Sequence, residues 1–317
     1  MRLYTLDSLK AIAAFFVITL HVGLYHDLSP IYGEVIRLTG RWAVPFFFMA
    51  TGYFIGVKQL EAHMPKHAIK IGKIFIITSL IYIPYSYLKH DFSMEHIASR
   101  ASSDTLIMSG MSFHLWYLSS LFFGLITFYV LHYRLSTKSM LTLSMLIISG
   151  YFIVDLYPSI TEHENWVRHL ISIPCLFFGY RLSRVNAESI SLPLTTSVAL
   201  LSLAGMYVLP YYLDGDQTRD IMLRQFPIFV IPFCMVLLLL AIKLNANDNP
   251  VAKVGRDYSL LIYTCHPIFM YGIETVLAKH NMDSDIVIAL ATFVVATGFA
   301  VLLKRVCRPA FRVLNGG

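Results

Sequence analysis

Apolar runs long enough to cross a lipid bilayer recur along almost the whole chain, and no other feature restricts its fold so strongly. In hydrocarbon every backbone N–H and C=O must find a partner, so such runs form helices or closed barrels, and about 20 apolar residues in succession read as a helix. The runs and the residues that break them predict ten spans, at 6–26, 40–58, 69–88, 113–132, 139–157, 167–182, 190–211, 222–242, 258–279 and 285–304. Composition agrees, with 56% of residues hydrophobic and 14% charged, far from the usage of a soluble domain. No hydrophilic stretch is long enough to fold separately, so residues 1–317 are expected to form one all-α membrane domain.

Charge orients the bundle. Assigning alternate loops to alternate sides puts 16 of the 25 Lys and Arg on one side and eight on the other, with Lys10 inside the first span. The positive-inside rule then predicts that both termini are cytoplasmic. The net charge of +6 is therefore read as topology, and no nucleic-acid partner is expected. Trp42, Trp116 and Trp166 fall at the predicted outer starts of spans two, four and six, as an aromatic belt requires. Arg2 before an apolar core resembles a secretory leader, but His21 and its bulky neighbours make a poor cleavage site and another span follows, so the segment is read as the first span.

Four cysteines, Cys175, Cys234, Cys265 and Cys307, lie in or beside spans with no C-x-x-C pair, so neither a disulfide framework nor a zinc site is expected. His63 and His67 have the spacing of a metal pair, but Pro65 between them favours solvated loop histidines.

The first span carries the anomaly. MRLYTLDSLKAIAAFFVITLHVGLY holds Asp7 and Lys10 near its start and His21 near its far end. Ionisable groups within a span usually face a bundle interior or a water-filled cavity. Lys10 and His21 are 11 residues apart, which brings them to within roughly 20° around the helix while separating them by about 16 Å along it. They share a face without touching. His21 is thus either part of a site or a hydrogen-bonding group against a neighbouring helix.

Other polar groups sit at span ends. Lys66, Lys70 and Lys73 form a basic strip where span three begins, suited to phosphates or anionic headgroups and also demanded by topology. Arg37 and Arg41 stand at i,i+4 near the other surface, an anion clamp in outline. His114 opens span four in FHLWYL, placed to orient an acceptor or simply solvated. His266 lies about two turns into span nine and is followed by Pro267, whose missing N–H distorts the helix.

Taken together these stretches resemble the acyltransferase type 3 family, multi-span proteins that O-acylate surface glycans. The family's Arg/Lys-x10-His signature is matched by Lys10 and His21, followed by R-x-x-V-P-x-F-F at Arg41, H-x-W-Y-L at His114 and S-x-x-x-Y-x-x-H-P at Ser259 to Pro267. The resemblance covers the whole chain and implies a multi-pass protein of a bacterial plasma membrane. Lys10 stands where many members have Arg, and MATGY replaces a commoner I-S-G-[FY] ending. Some proteins of this architecture act in glycan export, and a related module is fused to amino-acid racemases.

The resemblance implies an O-acyltransferase with no tightly bound cofactor, taking acetyl-CoA or another acyl-CoA as co-substrate and a glycan or lipid-linked saccharide as acceptor. Laid over the geometry, Lys10 with Lys66, Lys70 or Lys73 would hold the CoA phosphates, and the pantetheine arm would run along the shared face towards His21 as general base. Arg37, Arg41, His114 and His266 are the expected acceptor-side residues. A polysaccharide exporter, or a module that only binds a small ligand, would use the same polar residues without consuming a thioester. The orientation is testable: cysteines introduced at Lys66 and Arg184 should be shielded from an impermeant thiol reagent in intact cells, and those at Glu162 and Asp216 labelled. Reversed labelling would invert the bundle.

Overall fold

A computed structural model describes residues 2–89, 94–160, 164–282 and 284–316. Glu162 therefore lies outside the described residues, whereas Lys66, Arg184 and Asp216 are exposed. Among the described residues the secondary structure is helical, with no strand. In order the helices are α1 (Tyr4–Val22), α2 (Pro30–Gly40), α3 (Ala43–Val57), α4 (Met64–Lys89), α5 (Met94–Arg100), α6 (Ser103–Ser109), α7 (Trp116–Arg134) and α8 (Thr137–Leu156). They continue with α9 (Glu164–His169), α10 (Ser172–Leu182), α11 (Leu192–Tyr212), α12 (Val230–Lys243), α13 (Pro250–Asp257), α14 (Ser259–Lys279), α15 (Asp285–Val306) and α16 (Arg308–Leu314).

Seven segments are long and apolar enough to cross a membrane, built on α1, α4, α7, α8, α11, α14 and α15. The other three expected spans are shorter helices: α3 has 15 residues, α10 has 11 and α12 has 14. At about 1.5 Å per residue these fall well short of a hydrocarbon core of about 30 Å. Their surroundings explain how that is tolerated. Nine of the 11 residues of α10 and 10 of the 15 of α3 are buried against protein. A helix inside a bundle has no lipid thickness to match, and hydropathy alone does not distinguish it from one at the rim.

The rim helices show the opposite pattern. On α11 the buried residues are Thr195, Ala199, Ser202, Met206 and Pro210, one stripe at helical spacing, while Leu194, Leu200 and Leu201 face outwards. On α15 the buried stripe includes Ala289, Thr292, Ala296 and Ala300, with Val294 and Leu302 exposed. Small residues face the protein and large apolar ones the lipid, because in a bilayer close backbone approach drives helix association.

Glycines make the interior crossing possible. A Cβ added at Gly52 would strike the Leu176 carbonyl on α10, and one added at Gly179 would strike the Met49 carbonyl on α3, so the two helices meet backbone to backbone in both directions. Gly255 of α13 lies likewise against the Asp7 carbonyl of α1. Trp42 departs from expectation: it is buried and packs against Phe16, Phe46 and Phe233 instead of lying in an interfacial belt. The ring lies beyond the reach of lipid because the chain turns at Arg41–Trp42 between α2 and α3.

These contacts separate two glycine classes. Gly179→Val should destabilise the purified protein by about 1–3 kcal/mol or more through overpacking, seen as a lower melting temperature in detergent. Gly150→Ala, on α8 with open space around it, should be neutral or stabilising, since alanine is the better helix former. Equal melting of the two variants would contradict the crossing geometry.

Candidate active site

The site is built on the two ends of α1, and both ends are held by distant segments. The helix has no side-chain N-cap of its own; instead Asn245 Oδ1 accepts from the Tyr4 N–H at 2.7 Å, and Thr5 Oγ1 donates to the Leu244 carbonyl at 2.6 Å. At the far end the Arg37 guanidinium donates to the carbonyls of Gly23 at 2.5 Å and Leu20 at 3.4 Å, and also to Met222 at 2.9 Å. Carbonyls left over at a helix C-terminus favour a cation there. Tyr25, at φ 58°, closes the turn by donating its hydroxyl to Thr19 O at 2.8 Å and its N–H to Asp285 Oδ2 at 2.6 Å. The last turn of α1, which carries His21, is thereby fixed.

Three histidines converge there. The His21 ring lies 5.3 Å from that of His266 and 6.3 Å from that of His114, and His114 and His266 are 5.3 Å apart, measured between ring centroids. His114 is buried, against the expectation of an interfacial residue. Its Nε2 faces the Thr264 carbonyl at 3.4 Å and its Nδ1 the Ser112 hydroxyl at 2.9 Å. Because a carbonyl only accepts, Nε2 carries the proton and Nδ1 accepts from serine. No group of three or more His, Cys, Asp or Glu among the described residues has the geometry to hold a metal ion.

His266 owes its state to the proline after it. Pro267 has no N–H, so the Tyr263 carbonyl four residues back loses its helical partner. His266 Nδ1 takes that carbonyl at 2.7 Å. The opposite nitrogen, Nε2, is then a bare acceptor, and it is buried with no hydrogen-bond partner.

His21 lines two cavities. One, of about 270 Å³, is bounded by His114, Ser112, Tyr85, Lys89 and Pro267. The other, of about 250 Å³, is bounded by Arg37, Arg41, Arg168, Arg219, Trp116 and Gln225. The two expected acceptor-side arginines are thus beside the histidines, and both donate to the same Met222 carbonyl. Arg37 lies in α2 rather than in a loop.

At the other end of α1 a larger cavity, of about 710 Å³, is lined by Arg2, Lys10, Lys58, His67, Lys70 and Arg256 together with Asp7 and apolar side chains. Of the lysines expected at the donor end, Lys10 and Lys70 line this cavity, whereas Lys66 is exposed and does not. Lys10 is paired within its own helix, its Nζ 2.7 Å from Asp7 Oδ1. Lys58 is among the sixteen Lys and Arg counted on the charge-rich side without a further role, and His67 was expected in solvent. Pro65 falls in the first turn of α4, where proline is compatible with a helix, and so His67 turns inwards.

Aromatic side chains occupy the middle. On α7, Tyr117 lies between His114 and Leu121 of the basic cavity; on α14, Tyr263 lies between Leu260 and His266; on α3, Phe47 and Phe48 lie between Pro45 and Thr51. Phe48 and Tyr117 are 4.7 Å apart, Tyr117 and Tyr263 5.2 Å, and the Tyr263 hydroxyl donates to the His114 carbonyl. Along their helices these rings lie between residues of the two ends of the site.

A family model described as an acyltransferase domain, of the acyltransferase type 3 family, matches residues 3–305. Curated relatives include an amino-acid racemase of Enterococcus faecalis, 26% identical over 92% of this chain and 45% of its own length. A serine/alanine racemase of Enterococcus gallinarum is 24% identical over 97% of this chain and 47% of its own. The chain thus spans about half the length of these relatives. No solved structure matches.

The histidine tautomers are open to measurement. In ¹⁵N-histidine-labelled protein the neutral His266 ring should show a protonated Nδ1 and a bare Nε2, and Pro267→Ala should remove that preference by restoring an N–H to the Tyr263 carbonyl. A protonated Nε2 in the unaltered chain would contradict the assignment.

Proposed function

The chain belongs to the acyltransferase type 3 family, and from that premise we propose that it moves an acyl group, acetyl in the simplest case, from acyl-CoA to a hydroxyl of a glycan or lipid-linked saccharide. It is a multi-pass membrane protein. The observation that carries the proposal is the pairing of a basic cavity and a histidine cluster at opposite ends of α1. Coenzyme A brings a diphosphate and a further phosphate, and five cations line the basic cavity against one carboxylate, Asp7. Lys58 and Lys70 are the cations best suited to phosphate, since Lys10 and Arg2 already share Asp7, and Arg256 is paired with Asp257 at 2.7 Å.

The thioester would pass from this cavity towards His21, a distance of about 16 Å along α1 from Lys10 and within reach of an extended pantetheine arm. His21 takes the proton of the acceptor hydroxyl as the oxygen attacks the thioester carbonyl. Collapse of the adduct breaks the C–S bond, the acyl group stays on the acceptor oxygen, and the thiolate takes the proton from the His21 imidazolium to give free CoA and the neutral base. His266 and His114 orient the acceptor around His21. Positive-inside charge puts the basic cavity in the cytoplasm, where acyl-CoA is made, and the histidines on the far side.

Two variants test the base. His21→Ala and His21→Gln should each insert normally and lose acyl transfer by about 10²–10⁴-fold, measured with labelled acetyl-CoA in proteoliposomes. Glutamine keeps the size and hydrogen bonding but cannot take the proton, so near-normal turnover in His21→Gln would assign His21 to packing. The donor end has its own readout: a combined Lys58→Ala, Lys70→Ala change should raise the KM for acyl-CoA more than it lowers kcat, and Lys66→Ala should leave both unchanged. An unaltered acyl-CoA dependence in the double variant would remove the donor assignment.

A further inference from the structure

The cavity on the arginine side of His21 is built for an anion. Its lining brings Arg37, Arg41, Arg168 and Arg219 together and contains no acid. Topology does not account for these charges. The positive-inside rule leaves only eight Lys and Arg on this side of the bundle, and four of them line one cavity of about 250 Å³.

The four guanidiniums are engaged to different degrees. Arg37 is spent largely on the end of α1. Arg168 donates to Gln225 Oε1 at 3.1 Å and lies over the rings of Phe113 and Trp116. Arg219 donates to the Asp155 carbonyl at 2.9 Å and lies 3.6 Å from that residue's carboxylate, which also accepts from the Gln225 and Phe226 N–H groups. Arg41 has the least: one hydrogen bond, from Nη2 to Met222 O at 3.2 Å, with its Nε buried and unpartnered. Arg41 is half-buried with no ion-pair partner among the described residues and feels the Asp155 carboxylate only at longer range, and the planar fork of a guanidinium matches a carboxylate or phosphate.

We infer that this cavity binds an oxyanion carried by the acceptor, a carboxylate or phosphate about one sugar ring from the hydroxyl that is acylated. The inference rests on the reading of His21 as the base. It deepens that reading by naming the acceptor class as anionic glycans. The cavity is below the usual range of about 300–1,000 Å³ for drug-sized ligands, so it holds the charged group and not the whole saccharide. His21 forms part of the same wall, which puts the anchored residue's neighbouring hydroxyl beside the imidazole.

Binding without a thioester isolates this site from the chemistry. The full chain in nanodiscs would be titrated with a glucuronate-terminated trisaccharide, its carboxyl-reduced neutral counterpart and a phosphate-bearing counterpart. At least one anionic glycan should bind about 10–100-fold more tightly than the neutral one, the range for a charge-assisted hydrogen bond. Whichever anion wins separates an acidic sugar from a phosphorylated or lipid-diphosphate acceptor. Arg41→Gln should abolish the preference, while His21→Gln should keep it and lose transfer. If Arg41→Gln melts early, Arg41→Lys decides, because it keeps the charge and loses the fork: a reduced preference supports the site and a full one overturns it. Equal binding of all three glycans, or a preference that survives Arg41→Gln, overturns the proposal. Anion preference with no transfer from acetyl-CoA would leave the site standing and remove the acyl-transfer reading. Equally fast transfer to neutral and anionic glycans would do the reverse.

Discussion

The site depends on how the loose ends of one helix are satisfied. In lipid an α1 left with free N–H groups at one end and free carbonyls at the other would fray or shift. Asn245 holds the first end and Arg37 the second, from segments more than two hundred and about fifteen residues away in sequence. With both ends clamped, the 11-residue interval between Lys10 and His21 becomes a fixed vector across the bundle. The backbone contact of Gly255 on Asp7 prevents the helix from sliding along its own axis. Arg37 thus joins the position of the imidazole to the arginine cavity: the residue that caps the helix also lines the wall where an acceptor would sit.

The same economy governs the histidine cluster. Pro267 frees a carbonyl, His266 takes it, and the other nitrogen of that ring is left buried as an acceptor without a partner. Neither residue explains the arrangement alone, since histidine without the proline would have a carbonyl already bonded within the helix. His114, by contrast, has both nitrogens occupied and serves as a fixed wall. His21 thus has one neighbour held at both nitrogens and one with an acceptor nitrogen still open.

Much of this was legible in the sequence, for physical reasons that differ from residue to residue. Lys10 and His21 declare a shared face through helical period, and His266 declares itself through the dipeptide with Pro267. The seven long helices follow from hydropathy. The short interior helices do not, because α3 and α10 bury apolar residues against protein and the hydropathy of such a run matches that of a lipid-facing one. Trp42 misled for the same reason, as an aromatic residue at a predicted span edge looks alike whether it meets headgroups or a neighbouring ring. Arg168, Arg219 and Lys58 reach their cavities through tertiary packing, which no spacing along the chain encodes. A faint signal existed for the arginines: cations on the side that topology depletes ask for a reason to be there.

The aromatic layer of Phe48, Tyr117 and Tyr263 has a consequence for the cell as well as for the reaction. A route for an acyl group through a bundle rich in histidine would, if filled by a continuous file of water, conduct protons. Each elementary charge crossing a potential of 100 mV releases about 2.3 kcal/mol, so an open route would discharge the membrane that houses it. On the proposed reading, the tilted and edge-on rings of Phe48, Tyr117 and Tyr263 would interrupt such a file between turnovers. Under the proposed function, the layer would let an enzyme that works across a membrane remain an electrical insulator.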